Sequence, residues 1–564
     1  MAEKRRNSKK YAEEPVRKKK KCYDEETVRR KSNASGSKKR KSSKTTASSK
    51  SRKEKIVNEN MAKSIVGMPN PRKHRERKNK LSRIVGLSLA GIQLCASLLF
   101  MLSLFVLGML PTNYIAVIAV VLCIFVLVTF VGQYVSKKKA VAGKIFSILI
   151  SLLLFLVSFY IFKTNGTVKS ISGGNTKIDK VVVAVRVDDS AETIQDAMNY
   201  DFGVQYELKG DEIKEAITAI NREVGQEIQT VEYRSVQEQA TKLHEGEVQA
   251  IIYNEAYANV MQDEFGDFSN SIKVIYSYEI ESVVDNKAAE VEVTDTSFTV
   301  YISGIDVYGA IETNSRSDVN ILAEVNPKTH QILLVTTPRD YYVELPGISG
   351  GMRDKLTHAG IYGVDVSMAT LGQLYDIDPE FYARVNFTSL VQMVDALGGI
   401  DVYSDQTFTT SEASGCVVNI MEGVNTLNGE QALAFCRERY NVSGGDNARG
   451  KHQQAVITAM IQKAVSPAIL LGANQLLESV SGNVDTNMTQ QQIQDLIKSQ
   501  IADPQAWRIK SLAAEGTGDS QPCYSTGNQL LYVTQPDQAS VDTIKTAFCA
   551  VENGEVFEDS DVAQ

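Results

Sequence analysis

From residue 81 to residue 163 the chain contains no aspartate and no glutamate. A carboxylate at mid-bilayer costs about 3 kcal/mol, so a stretch free of acid is one that a membrane tolerates. Three apolar runs, at 84–110, 115–133 and 141–162, fill that window. Each comes close to the ~20 residues that a bilayer core requires, so three transmembrane helices are expected. An odd number of spans puts the two chain ends on opposite sides. The link PTNY at 111–114 has no positive charge, whereas YVSKKKA at 134–140 has three lysines. By the positive-inside rule the N-terminus and the lysine loop are cytoplasmic, and everything after the third span is extracellular. A cleaved signal peptide does not fit, because the first apolar run follows eighty polar residues and precedes two more.

Histidine is scarce, with five in 564 residues. No H-E-x-x-H motif and no Cys/His spacing suited to zinc occurs, and no Gly-rich phosphate loop opens a helix. A His-centred nucleophilic mechanism is thereby disfavoured, with His452 the one histidine placed to act as a base near the arginines described below. Large apolar residues are scarce in residues 1–80, which hold 29 Lys+Arg against 9 Asp+Glu. Such a segment cannot offset the entropy of ordering and is expected to be a disordered cytoplasmic arm. It has few aromatics and no helix-turn-helix pattern, so no nucleic-acid partner is expected; contact with anionic membrane lipid is the default reading. Residues 164–564 carry 26 Lys+Arg against 58 Asp+Glu, a strongly acidic body.

Seven cysteines are spread unevenly. Cys22 is in the arm, and Cys95 and Cys123 lie in apolar runs as small apolar residues. Cys416, Cys436, Cys523 and Cys549 remain in the body, where three pairings are possible. Cys416–Cys436 with Cys523–Cys549 is the most local, and free buried thiols are the alternative.

The body shows two patterns. From 180 to 283, β-branched runs such as KVVVAVRV and VQAIIYN alternate with helical-looking stretches that include AETIQDAMNY and DEIKEAITAINREVG. This alternation predicts a small α/β accessory domain with a largely parallel sheet, an accessory or binding module with no identified site. After residue 296, FTVYISGID predicts a strand, and DVNILAEVNPKTHQILLVTTPRD predicts two strands joined at NPKT. VDVSMATLGQLY and TSLVQMVDALGG read as helices, the second closed by Gly398 and Gly399. The expected division is an arm (1–80), three spans (81–163), a linker with the accessory domain (164–295), a second domain (296–550) and an acidic tail (551–564).

The stretch CRERYNVSGGDNARGKHQQ, at 436–454, reads as a loop between two helices at the rim of a pocket. Seven of the eleven arginines after residue 164 fall between Arg316 and Arg449. In an acidic body that clustering points to an anionic ligand, because the guanidinium is a permanently charged fork that matches phosphate oxygens bidentately. The bland reading is that Arg437 and Arg439 pair with Glu430 or Glu438 as solvated helix-end charges. Arg353 and Arg384 are set aside as surface or helix-flanking charges. Asp306 and Asp318 stand twelve apart, each after a strand-like segment, and two carboxylates holding hydrated Mg²⁺ against phosphates is a usual arrangement for that cation. Asp340 reads equally as a helper of Arg339 or as a turn residue. His358 reads as a packing or hydrogen-bonding residue, and Tyr341 and Tyr342 as strand or pocket wall.

The ordered series GID (304–306), RSDVNIL (316–322), TTPRD (336–340), DKLTHA (354–359), VNFTSLVQMVDALGGIDV (385–402), LNGEQALAFCRER (427–439) and GDNARGKHQQ (445–454) resembles the LytR-CpsA-Psr family. The resemblance implies an α/β/α sandwich with a central mixed sheet and a long apolar lipid pocket. It implies an extracellular, membrane-anchored, Mg²⁺-assisted phosphotransferase. Such an enzyme moves a glycopolymer, teichoic acid or capsule-like, from a polyprenyl diphosphate carrier to a peptidoglycan sugar hydroxyl and releases polyprenyl phosphate. By motif match Arg316, Arg339, Arg437, Arg439 and Arg449 clamp the diphosphate, Asp306 and Asp318 hold the metal, Asp446 orients Arg449 and Gln453 helps to hold the phosphate. Where a further arginine is expected before Gln453 the chain has His452, with Lys451 beside it as a substitute charge. The alternatives are a polyprenyl diphosphate hydrolase, a non-catalytic receptor for lipid-linked glycans, and a membrane-tethered regulator.

Overall fold

A computed structural model of the chain describes residues 71–135, 140–171, 176–283, 290–305, 311, 313–466, 484–527 and 529–558. Three long helices come first: α1 (Pro71–Leu107), α2 (Thr112–Val135) and α3 (Val141–Ile171). Glu76–Leu107, Thr112–Val135 and Val141–Lys163 are long and apolar enough to cross a membrane. Their outward side chains, such as Leu98, Val128 and Phe159, stay exposed. The bundle interior is pinned by polar bonds, as is usual where lipid supplies no hydrophobic drive between helices. Thr129 Oγ1 donates to Gln93 Oε1 at 3.0 Å, and Ser147 Oγ donates to the Leu89 carbonyl at 2.9 Å.

The first lobe after the helices is a five-stranded sheet of β1 (Thr176–Arg186), β2 (Asp201–Val204), β3 (Gln229–Glu232), β4 (Ala250–Asn254) and β5 (Ile272–Val283), in the order β3-β2-β4-β1-β5. It is covered by α4 (Gly210–Val224), α5 (Val236–Glu245) and α6 (Ala258–Phe265). The sheet is mixed rather than largely parallel. β2 runs parallel to β3 and β4, but β1 runs antiparallel to β4 and β5. Thr176 pairs with Val283, so the chain enters and leaves this lobe at one end, which requires its first and last strands, β1 and β5, to run antiparallel. The expected helix over 191–200 is a run of turns. Asp196 takes the N–H groups of Glu192 and Thr193 and the Thr193 hydroxyl, local bonds that compete with a helical ladder.

The second lobe is built on β6 (Phe298–Ile305), β7 (Ser317–Asn326) and β8 (Gln331–Thr337), followed by α7 (Leu356–Tyr362), α8 (Val364–Tyr375), β9 (Phe381–Val385) and α9 (Phe387–Ala396). A hairpin of β10 (Ile400–Ser404) and β11 (Gly423–Leu427) leads to α10 (Gly429–Arg437) and α11 (Gly445–Ala464). β12 (Val484–Thr486), α12 (Gln490–Ala502), β13 (Arg508–Ala513) and α13 (Gln538–Glu552) complete it. The sheet order is β12-β9-β6-β7-β8-β13, with β9–β6 and β8–β13 parallel and the other pairs antiparallel. Strand side chains alternate between faces, and both faces are apolar. Tyr301, Leu322 and Val335 share a core with Leu356, Leu371 and Phe548 of α7, α8 and α13. Ile302, Ile321 and Leu334 meet Ile457 and Ile461 of α11 on the opposite face. The lobe is thus an α/β/α sandwich around a mixed sheet.

The two lobes share one core, in which Tyr257, Val260 and Met261 of the first pack with residues of α7 and α8. Tyr257 Oη donates to Tyr362 Oη at 3.0 Å, and Lys177 pairs with Asp365 at 3.1 Å. Ile497 of α12 packs against Leu104, Leu107 and Ile161, joining the second lobe to the ends of the apolar helices. None of the six described cysteines is in a disulfide. Cys436 is buried in the core beneath α10, where desolvation pushes its thiol up to about 12, and Cys549 is exposed on α13. The local pairing expected from sequence is therefore absent among the described residues.

Candidate functional site

The register of the second sheet gathers the functional candidates at one edge. Val385 lies opposite Gly304, Gly304 opposite Val319, Ile305 opposite Ser317, and Asn320 opposite Thr337. The end of β6, the start of β7, the end of β8 and the start of α9 therefore adjoin. Gly304 is required here, since a Cβ would stand 2.7 Å from the Val319 Cβ at the β6–β7 irregularity. Asp306 follows β6 directly but lies outside the described residues. Arg316 is half-buried at the entry to β7. α7 lies against that entry so closely that a Cβ on Gly360 would sit 2.5 Å from the Ser315 carbonyl oxygen.

Charges alternate along this edge. Asp318 Oδ2 accepts from Arg339 Nη1 at 2.9 Å, and its Oδ1 accepts from Thr357 Oγ1 at 3.2 Å. Arg339 Nε lies 3.6 Å from Asp340 Oδ2, and Asp340 Oδ1 pairs with Lys355 Nζ at 2.9 Å. The four side chains are 15–23% exposed, partly desolvated, so each pair is worth more than the 0–1 kcal/mol of a fully solvated one. Asp340 thus assists Arg339 rather than merely forming a turn. The Thr357 N–H donates to the Arg339 carbonyl at 2.8 Å, fixing the backbone as well as the side chain.

Arg437 ends α10, with its guanidinium carbon 4.4 Å from the Phe387 ring centroid. Cation–π stacking engages the flat face and leaves the N–H edge suited to oxygen ligands. Arg439 is exposed, donating to Tyr440 Oη at 2.8 Å. Glu438 between them is fully buried and pairs with neither. It accepts from the N–H groups of Arg439, Tyr440 and Asn441 at 3.0, 2.8 and 3.1 Å, from the Ser411 N–H, and from Ser414 Oγ at 3.1 Å. Burial alone would raise its pKa; the backbone donors of Ser411, Asn441 and Tyr440 outweigh it and bring the carboxyl down to about 2. The solvated helix-end reading of this segment is therefore incorrect: Glu438 organises the turn that separates the two arginines.

The expected rim loop ends early. α11 begins at Gly445, after Gly444 turns the chain at φ +99°, so Asp446, Arg449 and Gln453 stand on a helix at spacings of three and four residues, along one side of it. His452 points elsewhere. It is 3% exposed, with its ring 4.2 Å from the Phe435 centroid and 5.1 Å from that of Phe408, and burial lowers its pKa. It is a neutral core residue, neither a substitute for arginine nor a base at the site. Arg384 is also buried, 3.7 Å from Asp485 and donating to the Thr313 carbonyl at 2.8 Å, not the surface charge expected. His358 bonds Asp354 at 2.6 Å inside the core. GISGG at 347–351 has the letters of a nucleophile elbow, but Ser349 is buried and its hydroxyl is held by the Leu345 and Met352 carbonyls.

Sequence reasoning missed Glu438, Thr357, Lys355, Phe387 and Tyr440. Lys355, Thr357, Phe387 and Glu438 lie inside the quoted motifs and Tyr440 beside one, but their roles depend largely on contacts distant in sequence. Among the described residues no three metal-ligating groups converge. Asp318 supplies one carboxylate, both of whose oxygens keep a second lone pair.

Comparison with known proteins bears on this arrangement. The model of the LytR_cpsA_psr family matches residues 268–548. A protein of Enterococcus faecalis named polyisoprenyl-teichoic acid–peptidoglycan teichoic acid transferase TagU is 32% identical over 262 residues, 46% of this chain and 82% of that protein. A Bacillus cereus protein of the same name is 32% identical over 236 residues, 42% of this chain and 75% of its own. Among solved structures, B. subtilis TagU has 27% identity and a TM-score of 0.36, over 47% of this chain and all of that one.

Proposed function

Because the chain belongs to the LytR-CpsA-Psr family, we propose that it is an extracellular, membrane-anchored phosphotransferase that moves a teichoic acid-like glycopolymer from a polyprenyl diphosphate carrier to a sugar hydroxyl of peptidoglycan. The observation that carries this reading is the Asp318–Arg339 pair, held at the sheet edge where Arg316 and Phe387, the platform for Arg437, also lie. Transfer from a diphosphate demands charge neutralisation and alignment more than covalent help. Arg316, Arg339, Arg437, Arg439 and Arg449 would spread over the diphosphate oxygens, Asp446 would orient Arg449, and Gln453 would add a neutral donor. The acceptor hydroxyl attacks the phosphorus that bears the glycan, the bond from that phosphorus to the bridging oxygen breaks, and polyprenyl phosphate departs with the bond electrons. The hydroxyl proton passes to a base that the described residues do not identify.

Mg²⁺ fits as a proposal, since that cation is ordinarily held by one or two carboxylates plus substrate phosphates. Asp318 with Asp306 would hold it, and it would supply charge neutralisation at the phosphate oxygens. The basic arm, the lysines of the 134–140 loop and the acidic body support a cytoplasmic N-terminus with both lobes outside.

The reading is tested with full-length protein in lipid nanodiscs, a labelled polyprenyl diphosphate glycan and soluble peptidoglycan fragments. Arg437→Ala is expected to lower transfer at least 100-fold with the fold intact, consistent with about 3 kcal/mol for a donor to developing charge. Unchanged transfer would remove Arg437 from the site.

A further inference from the structure

The flank of α11 opposite the Asp446/Arg449/Gln453 side borders a separate cleft of about 490 Å³. Its walls come from α11, the solvent-facing side of β10 and Ser511 of β13. We propose that this cleft is a carbohydrate subsite that takes an anionic, hydroxyl-rich glycan segment; the proposal rests on the transferase reading above.

The lining decides the ligand class. Ala455 and Ala459 give the cleft apolar surface, and Lys451, Asp401, Tyr403 and Thr458 give it polar groups, a mixture that suits a sugar's C–H face and hydroxyls. Asp401 and Tyr403 alternate with buried Ile400, Val402 and Ser404, so the strand's period directs both to the same open side. Tyr403 is 48% exposed, and its ring offers a flat apolar face with a polar tip, the combination that suits a sugar's C–H face and hydroxyls. Lys451 makes no ion pair among the described residues, in a body where acid outnumbers base by 58 to 26. Asp401, the carboxylate that shares the cleft, accepts from the Thr426 hydroxyl and forms no ion pair with Lys451 among the described residues, so the ammonium is left to serve an external anion. Thr458 is 5% exposed and its hydroxyl has no hydrogen-bond partner among the described residues, a donor and acceptor unused by the fold. Lys451 thus does not replace a phosphate-site arginine; it stands on the far flank of the same helix.

One helix therefore backs both places. An α-helix is ~10 Å across, so a short oligosaccharide whose end lies at the arginines can reach around it. Two glycans of this chemistry are present in the reaction: the transferred polymer, if its repeats carry phosphate or carboxylate, and the acceptor, whose peptide stems carry carboxylates.

The test uses the full chain in nanodiscs and calorimetric titration with two lipid-free probes, a soluble glycerol phosphate oligomer and a disaccharide–peptide fragment of peptidoglycan. Lys451→Glu and Tyr403→Ala, both solvent-facing changes, are expected to weaken one probe at least 10-fold and to raise the KM of the transfer substrate that carries that same glycan by a similar factor with kcat held. Whichever probe is weakened identifies the source. Arg437→Ala should leave that binding unchanged while abolishing transfer. If neither variant weakens either probe, the subsite is refuted while transfer can stand. If binding is lost as expected but wild-type protein makes no product, the transferase reading fails and the cleft remains.

Discussion

At the residue scale, Glu438 shows how a carboxylate between two arginines can serve them without pairing with either guanidinium. Its oxygens collect the N–H groups of Arg439, Tyr440 and Asn441, and that turn fixes where Arg437 leaves α10 and where Arg439 emerges. Glu438→Ala would leave several buried donors unsatisfied, at a cost of roughly 3 kcal/mol or more, seen as a lower urea midpoint, together with reduced transfer. The pH signature follows from the direction of the shift. A carboxyl near 2 in the fold and 4.5 when unfolded contributes stability that is present above pH 4.5 and is lost as pH falls towards 2. The wild type should therefore weaken more steeply than Glu438→Ala below pH 4.5; parallel curves would contradict the role given to this residue. None of this was legible locally, because Ser411 and Ser414, which complete the cage, arrive from more than twenty residues away.

At the scale of elements, the strands were the readable part. FTVYISGID and the pair joined at NPKT became β6, β7 and β8 because alternation and turn chemistry agree with the sheet that buries them. The boundary of α11 was not readable. GGDNARG looks like loop by composition, yet the helix starts inside it, since packing of Ile457 and Ile461 on the sheet outweighs weak local propensity. His452 illustrates the same limit: its neighbours in sequence are polar and its neighbours in space are Phe408 and Phe435. A separate consequence lies in β7, where Glu324 is buried and bonded to Ser297 and Thr299. Desolvation raises its pKa to about 7 despite those hydroxyls. The unfolded chain ionises this group near 4.5 and the fold only near 7, so stability falls as pH rises through that window. Glu324→Gln is expected to raise Tm at pH 8 and to change it little at pH 4; a larger gain at pH 4 would reverse the assignment.

At the scale of the molecule, charge and hydropathy alone separate a basic arm, three apolar helices and an acidic body. The contact between the two lobes was invisible in sequence. They are joined by a continuous core, by Tyr257 to Tyr362 and by Lys177 to Asp365, with Ile497 meeting the ends of the apolar helices. The first lobe is therefore built against α7, the helix whose Thr357 holds Asp318 and Arg339. The measurement that bears most directly on the whole account is the fate of a glycan label on a polyprenyl diphosphate carrier, followed with the full chain in nanodiscs while soluble peptidoglycan fragments are titrated. The account predicts that label appears on the fragments in proportion to acceptor, with one polyprenyl phosphate released per transfer and loss of both in Asp318→Ala. Polyprenyl phosphate released at the same rate without acceptor would make the protein a hydrolase, and tight binding without any product would make it a receptor.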